Sequence, residues 1–165
     1  MIFVTVGTHE QPFNRLLEAV DALAAAGILT EEVILQTGYS TYIPKNCIWK
    51  PFFPYSEMLQ LVRQARIVIT PGGPSSFLMA IRNDKVPIVV PRTASFGEHI
   101  NDHQVRFCEA VLSESPSFLL VKNIADLADT LKNYDVLCTQ CSAKALNHNA
   151  AFNEGIQRIV EELLP

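Results

Sequence analysis

Two short stretches of this 165-residue chain carry most of its chemical potential. The first is Gly72-Gly73-Pro74-Ser75-Ser76, a glycine turn that opens a helix. Such a turn exposes backbone N–H groups that the helix cannot pair internally, together with the positive end of its dipole, and both favour phosphate. The second holds Glu98, His99, Asn101, Asp102, His103 and Gln104 within seven positions. That density of donors and acceptors suits a hydroxyl-rich ligand such as a sugar. Taken together, the two stretches point to a nucleotide-sugar site.

The residues around them must form a scaffold that brings these loops together. Apolar runs at Ile2–Val6, Val33–Gln36, Ile48-Trp49, Ile67–Thr70, Pro87–Val90 and Phe118–Val121 read as strands. Between them, helical spacing is read over Phe13–Ala26, Tyr55–Ala65, Pro74–Arg82, Asn101–Leu112 and Ile124–Leu131. The strands are continuous apolar runs rather than alternating ones, as expected when both sheet faces are covered. The predicted fold is α/β, a Rossmann-like open parallel sheet with helices on both faces, in a single domain spanning 1–165. A last helix is expected over 143–164, either packed on the core or reaching a neighbouring domain. Gly7-Thr8-His9 and Gln36-Thr37-Gly38-Tyr39 also follow strand ends, so four polar or glycine-rich loops converge on the edge where open α/β sheets bind ligands.

Composition narrows the choices. The chain is 48% hydrophobic and 18% charged with a net charge of −4, and no basic stripe suggests a nucleic-acid partner. No apolar stretch approaches the length needed to span a bilayer, and Met1 leads directly into a strand-like run rather than a signal sequence. The first loop, Gly7-Thr8-His9-Glu10-Gln11-Pro12, lacks the G-x-G-x-x-G dinucleotide pattern, and the second strand ends without an acidic ribose partner. Cys138-Thr-Gln-Cys141 with His148 lies between two helical patterns rather than at a strand-to-helix turn, which argues against a zinc or redox role. No metal is expected. Asp126 and Asp129, three apart on a helix, read as surface or capping residues, and Arg92 as facing either phosphate or solvent. Ser75 and Ser76 suit a helix start with or without a ligand, and His99 and His103 could serve only to cap or pack the following helix.

The strings VTVGTHEQPFNRLL, LQTGYSTYIPKN, ITPGGPSSFLM and PIVVPRTASFGEHINDHQVRF resemble bacterial exopolysaccharide and capsule proteins of the "β-1,4-galactosyltransferase enhancer" type. These resemble in turn the C-terminal, donor-binding halves of family 28 glycosyltransferases. Among them are the cytosolic subunit of the two-part dolichol-diphosphate N-acetylglucosaminyltransferase and a fused peptidoglycan enzyme. The resemblance runs from Met1 to about Leu131 and implies a single GT-B C-terminal-type half. It implies that Gly7, Thr8, Gly72, Gly73, Ser75 and Ser76 hold the donor diphosphate. Glu98, His99, Asp102, His103 and Gln104 would meet the donor sugar, and Phe53, Tyr55 and Met58 the nucleobase. His9 is the catalytic candidate on this chain. Two positions depart from the family: Pro71 replaces a phosphate-contacting histidine, and Met79 replaces a ribose-gripping glutamate.

The resemblance implies an enzyme that uses a UDP-sugar and no other cofactor. Its partners would be a membrane-associated acceptor-binding subunit and a lipid-linked glycan acceptor, in exopolysaccharide or capsule biosynthesis. It would be cytoplasmic and peripheral at the inner membrane through that partner. A non-catalytic enhancer that stabilises a membrane-bound glycosyltransferase is the alternative. The absent G-x-G-x-x-G and Tyr-x-x-x-Lys patterns speak against a free-standing epimerase-like enzyme.

Overall fold

The computed structural model describes residues 1–141 and Arg158. Apart from Arg158, the helix expected over 143–164, and His148 with it, lie outside the described residues.

Six parallel strands form one sheet: β1 (Ile2–Thr5), β2 (Val33–Gln36), β3 (Ile48–Lys50), β4 (Ile67–Pro71), β5 (Ile88–Val90) and β6 (Leu119–Leu120). Their spatial order is β3-β2-β1-β4-β5-β6. Ile2 is flanked by Val33 on one side and Ile67 on the other, and Ile69 pairs with Ile88. The helices are α1 (Asn14–Ala25), α2 (Tyr55–Gln64), α3 (Pro74–Ile81), α4 (His103–Glu114), α5 (Leu127–Lys132) and α6 (Tyr134–Cys138).

The continuous apolar runs are explained by a core on each face of the sheet. Ile2, Val4, Ile67, Ile69, Ile88 and Val90 face α1, through Leu16, Leu17 and Val20, and the buried residues Leu127, Leu131 and Tyr134 of α5 and α6. The alternate residues Phe3 and Val68 pack on Val62 and Ala80 of α2 and α3. Val89 meets Phe77, Phe107 and Phe118. Phe3 and Phe77 are fully buried, a contribution of about 1.5–3 kcal/mol for each side chain.

The sequence reading of the architecture holds, with local differences. The helix expected from Asn101 begins at His103 and runs on to Glu114. Asn101 and Asp102 are used before it starts: Asn101 Oδ1 accepts the His103 N–H, and Asp102 Oδ1 accepts the Ala94 N–H. Ile124–Leu131 divides into a 3-10 turn over Ile124–Asp126, capped by the Asn123 side chain, and the short α5. A further 3-10 turn, Ala94–Phe96, lies within the 92–104 loop. Helix α6 escaped sequence periodicity, so Cys138 lies inside a helix rather than between two. Tyr134 anchors it, its ring buried and its hydroxyl donating to the Val86 carbonyl at 2.7 Å.

Candidate functional site

The order of strand addition reverses between β1 and β4: successive strands are added outward from β1 to β3 on one side, then outward from β4 to β6 on the other. The loops leaving β1 and β4 therefore separate at the sheet's C-terminal edge and leave a crevice, the usual ligand position in this architecture. Gly7-Thr8-His9 forms one wall. Gly72, Gly73 and the first turn of α3 form the other.

Backbone geometry accounts for both glycine positions. Gly7 has φ +76°, and a Cβ there would stand 3.4 Å from the Pro71 ring and 3.6 Å from Ser76 Oγ. Its N–H donates to Thr5 Oγ1, which also accepts from Gln36 Nε2, while Gln36 Oε1 accepts the Phe53 N–H. One buried chain of hydrogen bonds thus fixes three loop bases. Gly72 serves close approach instead, since a Cβ would fall 2.9 Å from Cys108 Sγ and 3.1 Å from both Gln104 Cβ and Pro91 Cβ. Gly73 is the extended N-cap of α3, with Pro74 at the first helical position and no side chain capping the turn.

Two cavities open from this wall. The larger, about 580 Å³, runs between Thr5 and Gln36 at its base and Tyr55, Met58, Met79 and Asn83 of α2, α3 and the turn that follows. The smaller, about 240 Å³, lies toward His9, Pro71, Arg92 and Gln104. Gly7, Thr8, Ser75 and Ser76 line both. The predicted phosphate residues therefore stand between a compartment lined by predicted base residues and one lined by a predicted sugar residue.

Beneath the smaller cavity, Arg92 is only 1% exposed. Its Nη1 donates to the carbonyls of Gln11 (2.7 Å) and Glu98 (3.1 Å), and its Nη2 to Val6 (2.8 Å). It thus binds the first loop to the 92–104 loop rather than facing solvent. Burial pushes its pKa down to about 10, with Glu98 opposing. Glu98 is itself 2% exposed: its carboxylate is held by Arg15 at 2.8 and 2.9 Å and accepts the Thr93 N–H. Gln104 Oε1 accepts the N–H groups of Gly72 and Arg92, each at 3.0 Å. That leaves Nε2 as its remaining polar group, on the side toward Gly73.

His9 and His99 pack against each other with ring centroids 4.7 Å apart. Burial holds the His9 pKa below its ordinary value, helped by the charges of Arg92 and His99 and opposed by Glu10. Its Nδ1 accepts the Gln11 N–H at 3.2 Å, which puts the proton of the neutral ring on Nε2. His99 Nδ1 lies 3.4 Å from the Asn101 N–H, and His103 Nδ1 is buried without a partner.

The predicted residues are thus unevenly distributed. Gly7, Thr8, His9, Gly73, Ser75, Ser76 and Gln104 line the smaller cavity, and Tyr55 and Met58 the larger. Phe53 stands behind the wall, edge-on to Phe3 at 6.1 Å. Glu98 and Asp102 shape the loop. Sequence reading missed Arg15, which lies far from the loop it holds in the chain. It also did not foresee the Arg92 clamp, since the carbonyls that hold Arg92 carry no side-chain signature. Among the described residues no cluster of three or more His, Cys, Asp or Glu is arranged to hold a metal. No helix among them is long and apolar enough to cross a membrane.

Comparisons with known proteins fit this geometry. Solved structures with a similar fold include a glycotransferase of kitacinnamycin (16% identity, TM-score 0.55), the glycosyltransferase SnogD from Streptomyces nogalater (17%, 0.53) and the spinosyn forosaminyltransferase SpnP (17%, 0.54). Each match covers 98% of this chain but only 38–39% of the other, so the chain spans less than two-fifths of their length. At that identity the likeness is one of fold, that of a GT-B C-terminal half. No curated protein matches the chain. The family described as glycosyltransferase family 28 C-terminal domain matches residues 1–158, and the chain belongs to it.

Proposed function

We propose that this chain is the donor-binding subunit of a two-component inverting glycosyltransferase that uses a UDP-sugar. The observation carrying this reading is the pair of cavities sharing the Gly7-Thr8 and Ser75-Ser76 wall. The diphosphate lies across that wall, against the N-terminus of α3. The base enters the larger cavity beside Tyr55 and Met58, and the sugar the smaller one beside Gln104 Nε2.

Transfer requires an acceptor oxygen to attack the anomeric carbon while the bond to UDP breaks and the acceptor proton passes to a base. Charge that develops on the departing diphosphate is met by the α3 dipole and backbone N–H groups, preorganised and in need of no divalent metal. With Nδ1 accepting the Gln11 N–H, neutral His9 presents Nε2–H, a donor. To serve as base it must give up the Gln11 N–H, so the general base belongs to the partner. That partner is a membrane-associated subunit that binds a lipid-linked glycan acceptor in exopolysaccharide or capsule assembly. It also holds this chain at the cytoplasmic face of the inner membrane.

Calorimetric titration with UDP in the presence of a chelator tests the reading. Saturable binding that is lost in a Ser75→Ala/Ser76→Ala variant supports it. Absence of binding at millimolar UDP, both alone and with the partner, would favour a scaffold that only stabilises the partner.

A further inference from the structure

We propose that Arg92 is the fixed counter-charge of the smaller cavity, a buried positive charge that attracts the donor's diphosphate from behind the cavity wall; this deepens the UDP-sugar reading and rests on it. Arg92 lines that cavity while being almost wholly buried. Its Nη atoms are consumed by the carbonyls of Val6, Gln11 and Glu98, and the Phe13 ring lies 4.7 Å from its guanidinium carbon. Its Nε is buried with no partner. A guanidinium held only by neutral carbonyls is fixed in place but not neutralised.

The carboxylate that acts on Arg92 is that of Glu98, and this group already forms two hydrogen bonds with Arg15. Arg15, Arg92 and Glu98 together leave one positive charge in excess beneath the loop. Burial of an unbalanced charge is costly, and the cost falls when an anion occupies the adjoining space. The charge acts in that direction, since Arg92 helps depress the pKa of His9, which lines the same cavity. The uncompensated charge is thus a feature that an anion in the adjoining cavity would offset through space, the Nε itself being sealed from that cavity. A guanidinium held rigidly behind the wall supplies that charge without reorganising when the anion arrives, and a low-dielectric surrounding strengthens its attraction.

The test compares three probes on the full chain: inorganic pyrophosphate and UDP by calorimetry, and uridine by NMR titration. For Arg92→Gln we expect pyrophosphate and UDP affinity to fall about tenfold or more, with uridine changed less than about twofold. Equal weakening of UDP and uridine would assign Arg92 a purely structural role and overturn the proposal, as would unchanged pyrophosphate binding. A wild-type chain that binds pyrophosphate through Arg92 but not UDP would refute the nucleotide reading alone. Binding of neither probe would refute both. If Arg92→Gln does not fold, Arg15→Gln carries the test with the carbonyl clamp intact. Glu98 is then free to neutralise Arg92, so pyrophosphate should weaken severalfold although Arg15 does not line the cavity; unchanged affinity there overturns the proposal.

Discussion

The side-chain carbonyl of Gln104 accepts the main-chain N–H of Gly72 at 3.0 Å, tying the start of α4 to the turn that opens α3. The same oxygen takes the Arg92 N–H, so one amide holds the ends of two adjacent strands. Gln104→Ala leaves both N–H groups without an acceptor and should destabilise the chain by about 2 kcal/mol in chemical denaturation. Gln104→Glu keeps the acceptor but exchanges the Nε2 donor for negative charge. It should lose much less stability, while UDP affinity falls about tenfold. Equal stability losses in the two variants would contradict this division of labour.

Gly72 packs where no side chain fits. Gly72→Ala drives a methyl group to 2.9 Å from Cys108 Sγ, and overpacking of this kind costs about 1–3 kcal/mol. Cys108 is a buried thiol, its pKa pushed up to about 12 by burial, so it is protonated and inert. Cys108→Ala removes the clashing atom. In a double-mutant cycle followed by thermal melting, the pair should be less destabilised than the sum of the two single changes.

The depressed pKa of His9 gives a signed pH dependence. Below about pH 6.5 the unfolded chain takes up a proton that the folded state resists, so stability is lost as the pH falls through that window toward the lower folded pKa. The melting temperature of the native chain minus that of His9→Gln should decline between about pH 7.5 and pH 5. A constant difference would show that His9 titrates normally.

On the proposed UDP-sugar reading, ribose would be met without a carboxylate. Among the described residues none lines the larger cavity, and Met79 occupies the wall. Asn83 has its amide engaged by Arg63 and by the Met79 carbonyl. Without a carboxylate to grip the 2′-hydroxyl, discrimination at that position should be weak, so UDP and 2′-deoxy-UDP should bind within about threefold of each other. Met79→Glu should introduce a preference of about tenfold for the ribonucleotide, read by calorimetry.

Most of the scaffold could be read from the sequence because strand residues such as Ile67, Val68 and Ile69 are apolar on both faces, and that pattern requires a covered parallel sheet. The glycine turn at Gly72-Gly73 was legible for the same reason: its residue types have few other uses. The role of Glu98 was not. As sequence it is one more polar residue among sugar-binding candidates, yet its partner, Arg15, lies 83 positions away and is brought near only by folding. Helix α6 is too short for a periodic pattern, and Tyr134 fixes it through a single hydroxyl bond to a carbonyl.

Under the proposed function, the wall shared by the two cavities would also act as a gauge of ligand length. Tyr55 and Met58 stand on one side of it, Arg92 and Gln104 on the other, and Gly7, Thr8, Ser75 and Ser76 set the span between. A donor whose base and sugar are joined through a single phosphate would seat one end and leave the other short. Under the proposed function, selection between mono- and diphosphate-linked donors would fall to the loops that leave the adjacent, paired strands β1 and β4, before any side chain reads the sugar itself.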